Sequence, residues 1–262
     1  MRGIWNAVRN NSSTILVVAG LFALWQAAVM AFAVPEHVLP SPVSALAHLL
    51  FRQPDASYNW KSQIGTTVSE VVVSFAVTAA AGVALAVVIS WSRWLRDLIM
   101  PFFLFVNSLP IVAVAPIILL WFGYGLATNI LIAFLVSFSP VVINAATGLS
   151  DIDEDLIDLV RYLHASKWQI FVKIRLPNSL PYIFSGLKIC STMVVVGAIV
   201  GEFVASDRGL GFIIINSQYT MDTPPIFAAL IVISVLGVAL FGVVALVERV
   251  AMPWYEGDGA RL

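Results

Sequence analysis

The chain has 262 residues, 60% of them hydrophobic and 11% charged, with a mean hydropathy of +0.94, far above a soluble domain of ordinary make-up. That excess needs lipid as its solvent. A formal net charge of -1 without any long basic or acidic run gives no footprint for nucleic acid. The single cysteine, Cys190, excludes an intrachain disulfide and argues against a Cys-based metal site, so it reads as a small packed hydrophobe.

Apolar stretches near the ~20 residues that cross a bilayer fall at 14–34, 66–90, 98–121, 126–147, 183–204 and 226–247. They predict an all-α polytopic bundle of about six spans with both termini on one side. The first stretch has a rival reading as a signal peptide, because Arg2 and Arg9 precede it and Ala31-Phe32-Ala33 imitates a cleavage site. Its apolar run exceeds the ~7–15 residues of a signal core, so it is read as a retained span. Segment 35–61 carries Pro35, Pro40, Pro42 and Pro54, with Tyr58 and Trp60 placed as interfacial aromatics. Within it, 43–51 is expected to form a short helix capped by Ser41 with Pro42 at its first position.

The third stretch holds Pro101, Pro110 and Pro116, which suggests a bent or broken helix, a device transporters use around substrate sites, although a purely structural kink stays open. Asn107 and Ser108 stand beside Leu109-Pro110, where freed backbone groups need polar neighbours. Asn144 lies late in the fourth span and Glu202 at the outer end of the fifth. Intramembrane polar residues are costly and face protein or water, so these four are the candidate path or gate residues. Glu202 has a second reading as the ion-pair partner of Arg208, and Glu70 reads as an interfacial acid. Gly197 and Gly201, four apart, allow a close helix contact, either a seam between two copies or internal packing.

The longest polar insert, 151–181, follows the fourth span. If the N-terminus is cytoplasmic, only Arg52, Lys61 and Arg208 of the 14 Lys and Arg fall outside, so the retention of basic residues on the cytoplasmic face puts the insert in the cytoplasm. Leu156, Leu159, Val160 and Leu163 recur with helical period and are expected to rest on the bundle, leaving Asp158, Arg161, Tyr162 and Ala165 outward. Asp151 and Glu154 look like a capping box, with Asp153 and Asp155 adding charge at the helix start. A second amphipathic stretch, 167–175, is expected to end at Leu176-Pro177. No repeat or second domain is visible. The chain is one transmembrane domain, 1–262, with 1–65 as first span and external segment and 66–250 as a five-span core containing a cytoplasmic loop at 151–182.

The frame 158–171, followed by Ile174-Arg175-Leu176-Pro177, resembles the EAA loop of ABC-importer permeases. It departs from that pattern where Leu159-Val160 replaces the usual Ala-Ala and where His164 replaces the usual Gly. His37 to Pro42, Leu109 to Pro116 with Leu120-Trp121-Phe122-Gly123, and Gly201-Glu202-Phe203 with Gly209-Leu210-Gly211 resemble the nitrate/sulfonate/taurine/pyrimidine branch of type I permeases.

The resemblance implies an inner-membrane subunit of an ATP-driven importer. It would work as a pair, favouring a homodimer, with ABC ATPase subunits below and a periplasmic or lipid-anchored solute-binding protein above. Asp158, Arg161, Tyr162, His164, Ala165 and Ser166 would form the ATPase-coupling face. ATP and Mg would sit in the partner subunit, and this chain would hold no cofactor, metal or catalytic residue. Blocks 158–171 and 185–188 look slightly more like permeases for pyrimidine or thiamine-precursor solutes than those for sulfonate, taurine or nitrate.

Two other classes compete. A secondary transporter or channel predicts inverted repeats or buried ionisable groups, and neither stands out in the sequence. A membrane enzyme needs a reactive constellation, but His37, His48 and His164 are scattered and no paired intramembrane acids are apparent. No G-x-x-x-x-G-K-[ST] phosphate loop occurs.

Overall fold

All regular structure in the computed structural model, which describes residues 2–51 and 59–254, is helical. In chain order the helices are α1 Arg2–Ala31, α2 Pro42–Phe51, α3 Trp60–Ser90, α4 Arg93–Ser108, α5 Ile111–Phe122, α6 Leu126–Ser150, α7 Glu154–Tyr162, α8 Lys167–Ile170, α9 Leu176–Ala205, α10 Leu210–Thr220 and α11 Thr223–Ala251, with a π-helical turn Phe171–Arg175 joining α8 to α9. Arg52, Pro54 and Tyr58, used above for the external segment and the charge balance, lie outside the described residues.

Four helical rods are long and apolar enough to cross a membrane: α3, α6, the continuous Lys167–Ala205 segment, and α11. The single span expected over 98–121 is instead two helices, α4 and α5, bent by 97°. Pro110 makes the break. It lacks an N–H to continue the ladder and pushes Leu109 into an extended conformation at φ -73, ψ 130. Pro101 and Pro116, by contrast, lie inside α4 and α5. The apolar part of α1, Leu16–Ala31, is a shorter helix of the 10–17-residue class. The fold is therefore an all-α, multi-pass membrane bundle.

Side chains are distributed as lipid demands. The buried stripe of α3 consists largely of small and polar residues, Gln63, Thr67, Glu70, Ser74, Thr78, Gly82 and Ala86, while Val72, Val73, Val77 and Val88 face outward. Apolar side chains lose nothing against hydrocarbon, so the interior is left to groups that permit close approach or bond across helices. The most extensive packing joins α6 and α9. A Cβ on Gly197 would lie 2.6 Å from Ala133 Cα, and one on Gly201 would lie 3.0 Å from Asn129 Cα. Both glycines thus serve internal packing of α9 on α6.

At the other end of α9, the helix continues where the proline was expected to stop it. The N–H of Leu176 donates to Phe171 O, one residue further back than an α-helical bond. Pro177 then falls in the first turn of α9, where a missing N–H costs little. Lys167–Ala205 is in consequence one rod that begins in the loop and ends at the opposite end of the bundle. Lys188 pairs with Glu248 to tie that rod to α11. The expected α2 is present, with Ser41 Oγ accepting from Ser44 N at 3.1 Å.

Candidate functional site

The loop after α6 is built from local capping chemistry. α7 begins at Asp153, whose carboxylate accepts from Asp155 N at 2.9 Å. Asp151 is therefore not the cap that the sequence suggested; it accepts from Tyr182 OH at 2.5 Å. Asn178 Nδ2 donates to the carbonyls of Gly148 and Asp151 at 3.3 and 2.8 Å, which binds the loop's entry to the start of α9. α8 opens on a capping box between Ser166 and Gln169, two residues whose spacing was there to be read.

α7 ends in a Schellman motif. His164 N donates to Arg161 O at 2.9 Å and Ala165 N donates to Val160 O at 3.0 Å, and His164 itself has φ 58. The resembled motif usually has glycine here, and the backbone explains that preference, because a left-handed residue carries a Cβ clash that glycine lacks. His164→Gly is accordingly expected to keep the loop and to leave stability within ~1 kcal/mol of native or raise it, whereas His164→Val, β-branched, is expected to lose ~1–2 kcal/mol. Thermal unfolding of the three proteins in detergent checks the order; Val equal to Gly would sink the left-handed cap.

The apolar stripe of α7 does not rest on the bundle as periodicity suggested. Leu156, Leu159 and Leu163 are exposed, Leu163 to 68%, and Ile157 is the buried residue instead, with Val160 half-buried. Tyr162 is 83% exposed. Asp158 and Arg161 form an exposed ion pair at 3.0 Å, His164 and Ser166 are exposed, and Ala165 is half-buried. The residues expected outward are outward, apart from Ala165, but an apolar stripe stands beside them, exposed among the described residues.

At the opposite end of the bundle the structure assembles a polar cluster. Glu202 is 1% exposed. Its Oε1 accepts from Thr67 Oγ1 at 2.5 Å, and its Oε2 accepts from Gly211 N at 2.5 Å. Thr67 Oγ1 in turn accepts from Leu210 N at 2.8 Å, and Gln63 Oε1 accepts from Gly209 N at 2.6 Å. The N–H groups of Gly209, Leu210 and Gly211, which open α10 and would be orphans in any helix, are thus met by side chains of α3 and α9, with a carboxylate at the positive end of the dipole. Gly209 has φ 101 and no room for a Cβ beside the Glu202 carboxyl.

Two expectations are corrected here. Glu202 does not pair with Arg208, which sits exposed near Asp207. Glu70 is not interfacial: it is buried, accepts from Asn129 Nδ2 at 2.9 Å and lies beside Glu202. A pair of buried acids therefore exists that the sequence did not reveal, since Glu70 and Glu202 sit on separate spans.

The remaining path candidates do not join this cluster. Asn107 and Ser108 are exposed at the α4–α5 break, Ser108 Oγ donating to Phe105 O at 2.7 Å. Asn144 Nδ2 donates to Pro140 O at 2.8 Å and lies against α9 at Gly186. Among the described residues no group of three or more His, Cys, Asp or Glu could hold a metal ion.

A lipid-facing bundle whose central rod runs out into a capped loop helix has the build of a transport permease. Residues 76–251 match the family described as "Binding-protein-dependent transport system inner membrane component", and the chain belongs to that family. It is 32% identical over 234 residues to the riboflavin transport system permease protein RibX of Chloroflexus aurantiacus, covering 89% of this chain and 87% of that one. It is 27% identical over 235 residues to the formylaminopyrimidine transport permease protein ThiX of Halalkalibacterium halodurans, covering 89% and 92%. To the putative aliphatic sulfonates transport permease protein SsuC of Bacillus subtilis it is 28% identical over 246 residues, covering 93% and 88%. The chain is a permease of an ABC importer, a transport component of a membrane.

Proposed function

We propose that α7 is the element through which an ATPase subunit drives this permease, and that the solute moved is a small, flat nitrogen heterocycle. The exposure of Leu156, Leu159, Tyr162 and Leu163 on a helix outside the spans carries the first part, because a contiguous apolar patch in water marks a surface that a partner covers. Asp158, Arg161, His164 and Ser166 rim that patch, and Ala165 closes the turn behind it. Since α8, the π-helical turn and α9 form one rod, displacement of the loop tilts α9 as a lever. ATP and Mg belong to the partner.

The distribution of Lys and Arg supports a cytoplasmic loop and cytoplasmic termini in a bacterial inner membrane, with α1 as a sixth span beside the four rods and the bent α4–α5 pair. A second copy of the chain completes the path in a homodimer, and a solute-binding protein delivers from the far side. Asn107 and Ser108, at the one break within a span, are the path residues best supported; Asn144 contributes where α6 meets α9. Glu202 acts as a clamp at the outer gate. The riboflavin and formylaminopyrimidine relatives support the heterocycle, as does the lack of charge beside the α4–α5 break.

Co-purification tests the docking. Leu159→Glu is expected to lower the ATPase retained by the permease at least about tenfold, the scale of one interface hot spot, with the permease itself still eluting as a folded particle. Retention equal to native would remove α7 from the interface. Titrating the cognate binding protein with riboflavin and with formylaminopyrimidine tests the solute class, which fails if neither releases heat.

A further inference from the structure

At the loop end of the bundle, a cleft of about 530 Å³ opens between α7–α8 and the α3–α4 turn. Arg96, Arg161, Lys167 and Arg175 line it, together with Ser92 and Trp91. Among the described residues that line it none is acidic. Arg161 is the one cation of the four with an ion pair among the described residues, to Asp158 on the outer face of α7. Arg175 makes only a long 3.4 Å bond to Ser90 O. So many like charges around one cleft repel one another unless an anion compensates them.

The depth of the cleft is set independently. Trp91, Trp94 and Trp168 are all exposed here, with Phe171 packed between Trp91 and Trp168 at centroid distances of 5.8 and 5.7 Å. Exposed tryptophans grouped where spans end mark the headgroup layer. Basic clefts at this depth, between spanning helices, suit the phosphate of an anionic lipid, and guanidinium groups match its oxygens in pairs.

We infer that this cleft is a binding site for the phosphate of an anionic phospholipid, which bridges the coupling loop to the α3–α4 turn. The lipid's negative charge lies between Arg96 on α4 and Lys167 on α8, so an occupied cleft holds the loop against the bundle. An empty one leaves mutual repulsion to loosen it. The site shares Arg161 and Ala165 with the docking face, but none of Leu156, Leu159, Tyr162 and Leu163 lines it, and Arg96 and Lys167 lie outside that face. Failure of the docking reading therefore leaves this one standing.

The assembled complex, purified in detergent from membranes containing phosphatidylglycerol, tests it by quantitative lipid mass spectrometry. Arg96→Gln with Lys167→Gln is expected to lower retained phosphatidylglycerol about 25-fold, given roughly fivefold for each of the two cations near a membrane surface. The charge-keeping pair Arg96→Lys with Lys167→Arg is expected to restore it, which separates lost charge from lost fold. Arg249→Gln, at the end of α11, is expected to change nothing. A second arm adds inorganic phosphate to the native complex and should displace no lipid. Equal retention in the Gln pair and in native protein would overturn the inference. So would displacement by inorganic phosphate, which would make the cleft a site for a free anion.

Discussion

Glu202→Ala is expected to lose about 2–4 kcal/mol of stability, because one buried donor then has no acceptor, at roughly 1–3 kcal/mol, and a second falls back on a 3.4 Å bond to Gln63 O, a weakening of about 1 kcal/mol. The donors are Gly211 N and the Thr67 hydroxyl. Their loss propagates. Thr67 also accepts from Leu210 N, so a hydroxyl free to rotate no longer holds the first turn of α10. Glu202→Gln keeps one carbonyl oxygen and presents an NH2 group to the other donor, and should fall between alanine and native. Gln63→Ala touches only Gly209 N and should cost about 1 kcal/mol. Reversible unfolding in mixed detergent micelles gives the three values. A further check is the double change Thr67→Val with Glu202→Ala, for which residues in one network predict coupling of about 0.5–3 kcal/mol. If Glu202→Ala unfolds within about 0.5 kcal/mol of native, α10 is not held by this carboxylate.

The clamp also shows what a single sequence conceals. Glu202 and its glycine turn were visible as an acid near Gly209-Leu210-Gly211, and an acid near a turn invites pairing with the nearest cation, Arg208. One real partner, Gly211 N, is nine positions on, but the other, Thr67, is 135 positions away on α3, and Glu70 is joined to Asn129 across 59. Hydropathy placed these residues in spans but carries no rotation about the helix axis, so it could not tell a lipid-facing acid from a buried one. The α7 stripe fails for a related reason. Period 3.6 establishes that Leu156, Leu159 and Leu163 share a face, yet it does not say whether the bundle or another protein covers that face.

The proline readings divide along similar lines. Pro110 breaks its span because Leu109 and Pro110 both leave the helical region. Pro177 breaks nothing, since the π-helical turn before it had already shifted the bonding register. A five-residue widening of the ladder leaves no mark in composition or periodicity. What was legible were features with local causes: the spans of α3, α6, α9 and α11, the Ser41 cap of α2, and the His164 position, whose left-handed backbone accounts for the glycine of the resembled motif.

Gly197→Leu should be the most damaging single change in the bundle. The contact it meets is backbone, Ala133 Cα at 2.6 Å and Ala133 O at 3.2 Å from the first added carbon, with Val136 Cβ at 3.1 Å, so no rotamer relieves it and α9 must move off α6. Overpacking a well-filled interior costs roughly 1–3 kcal/mol where side chains can yield; here a helix pair has to separate, and the upper end or beyond is expected. Gly197→Ala adds one carbon at the same 2.6 Å and should cost about 1 kcal/mol or more, against the usual helix gain of about 1 kcal/mol for Gly→Ala. Gly242→Ala supplies the contrast, since nothing lies within 4 Å of its added carbon, and should be neutral or stabilising. Because α9 is continuous with α8, its displacement at Gly197 also tilts the loop rod, so whatever Gly197→Ala protein still folds should move solute less per ATP hydrolysed than native. Folded yield on size exclusion, detergent unfolding and transport by reconstituted complex measure these in turn. If Gly197→Leu protein accumulates and unfolds like Gly242→Ala, then α6 and α9 do not meet at this crossing, and the rod that joins the loop after α6 to the rest of the bundle loses its fulcrum.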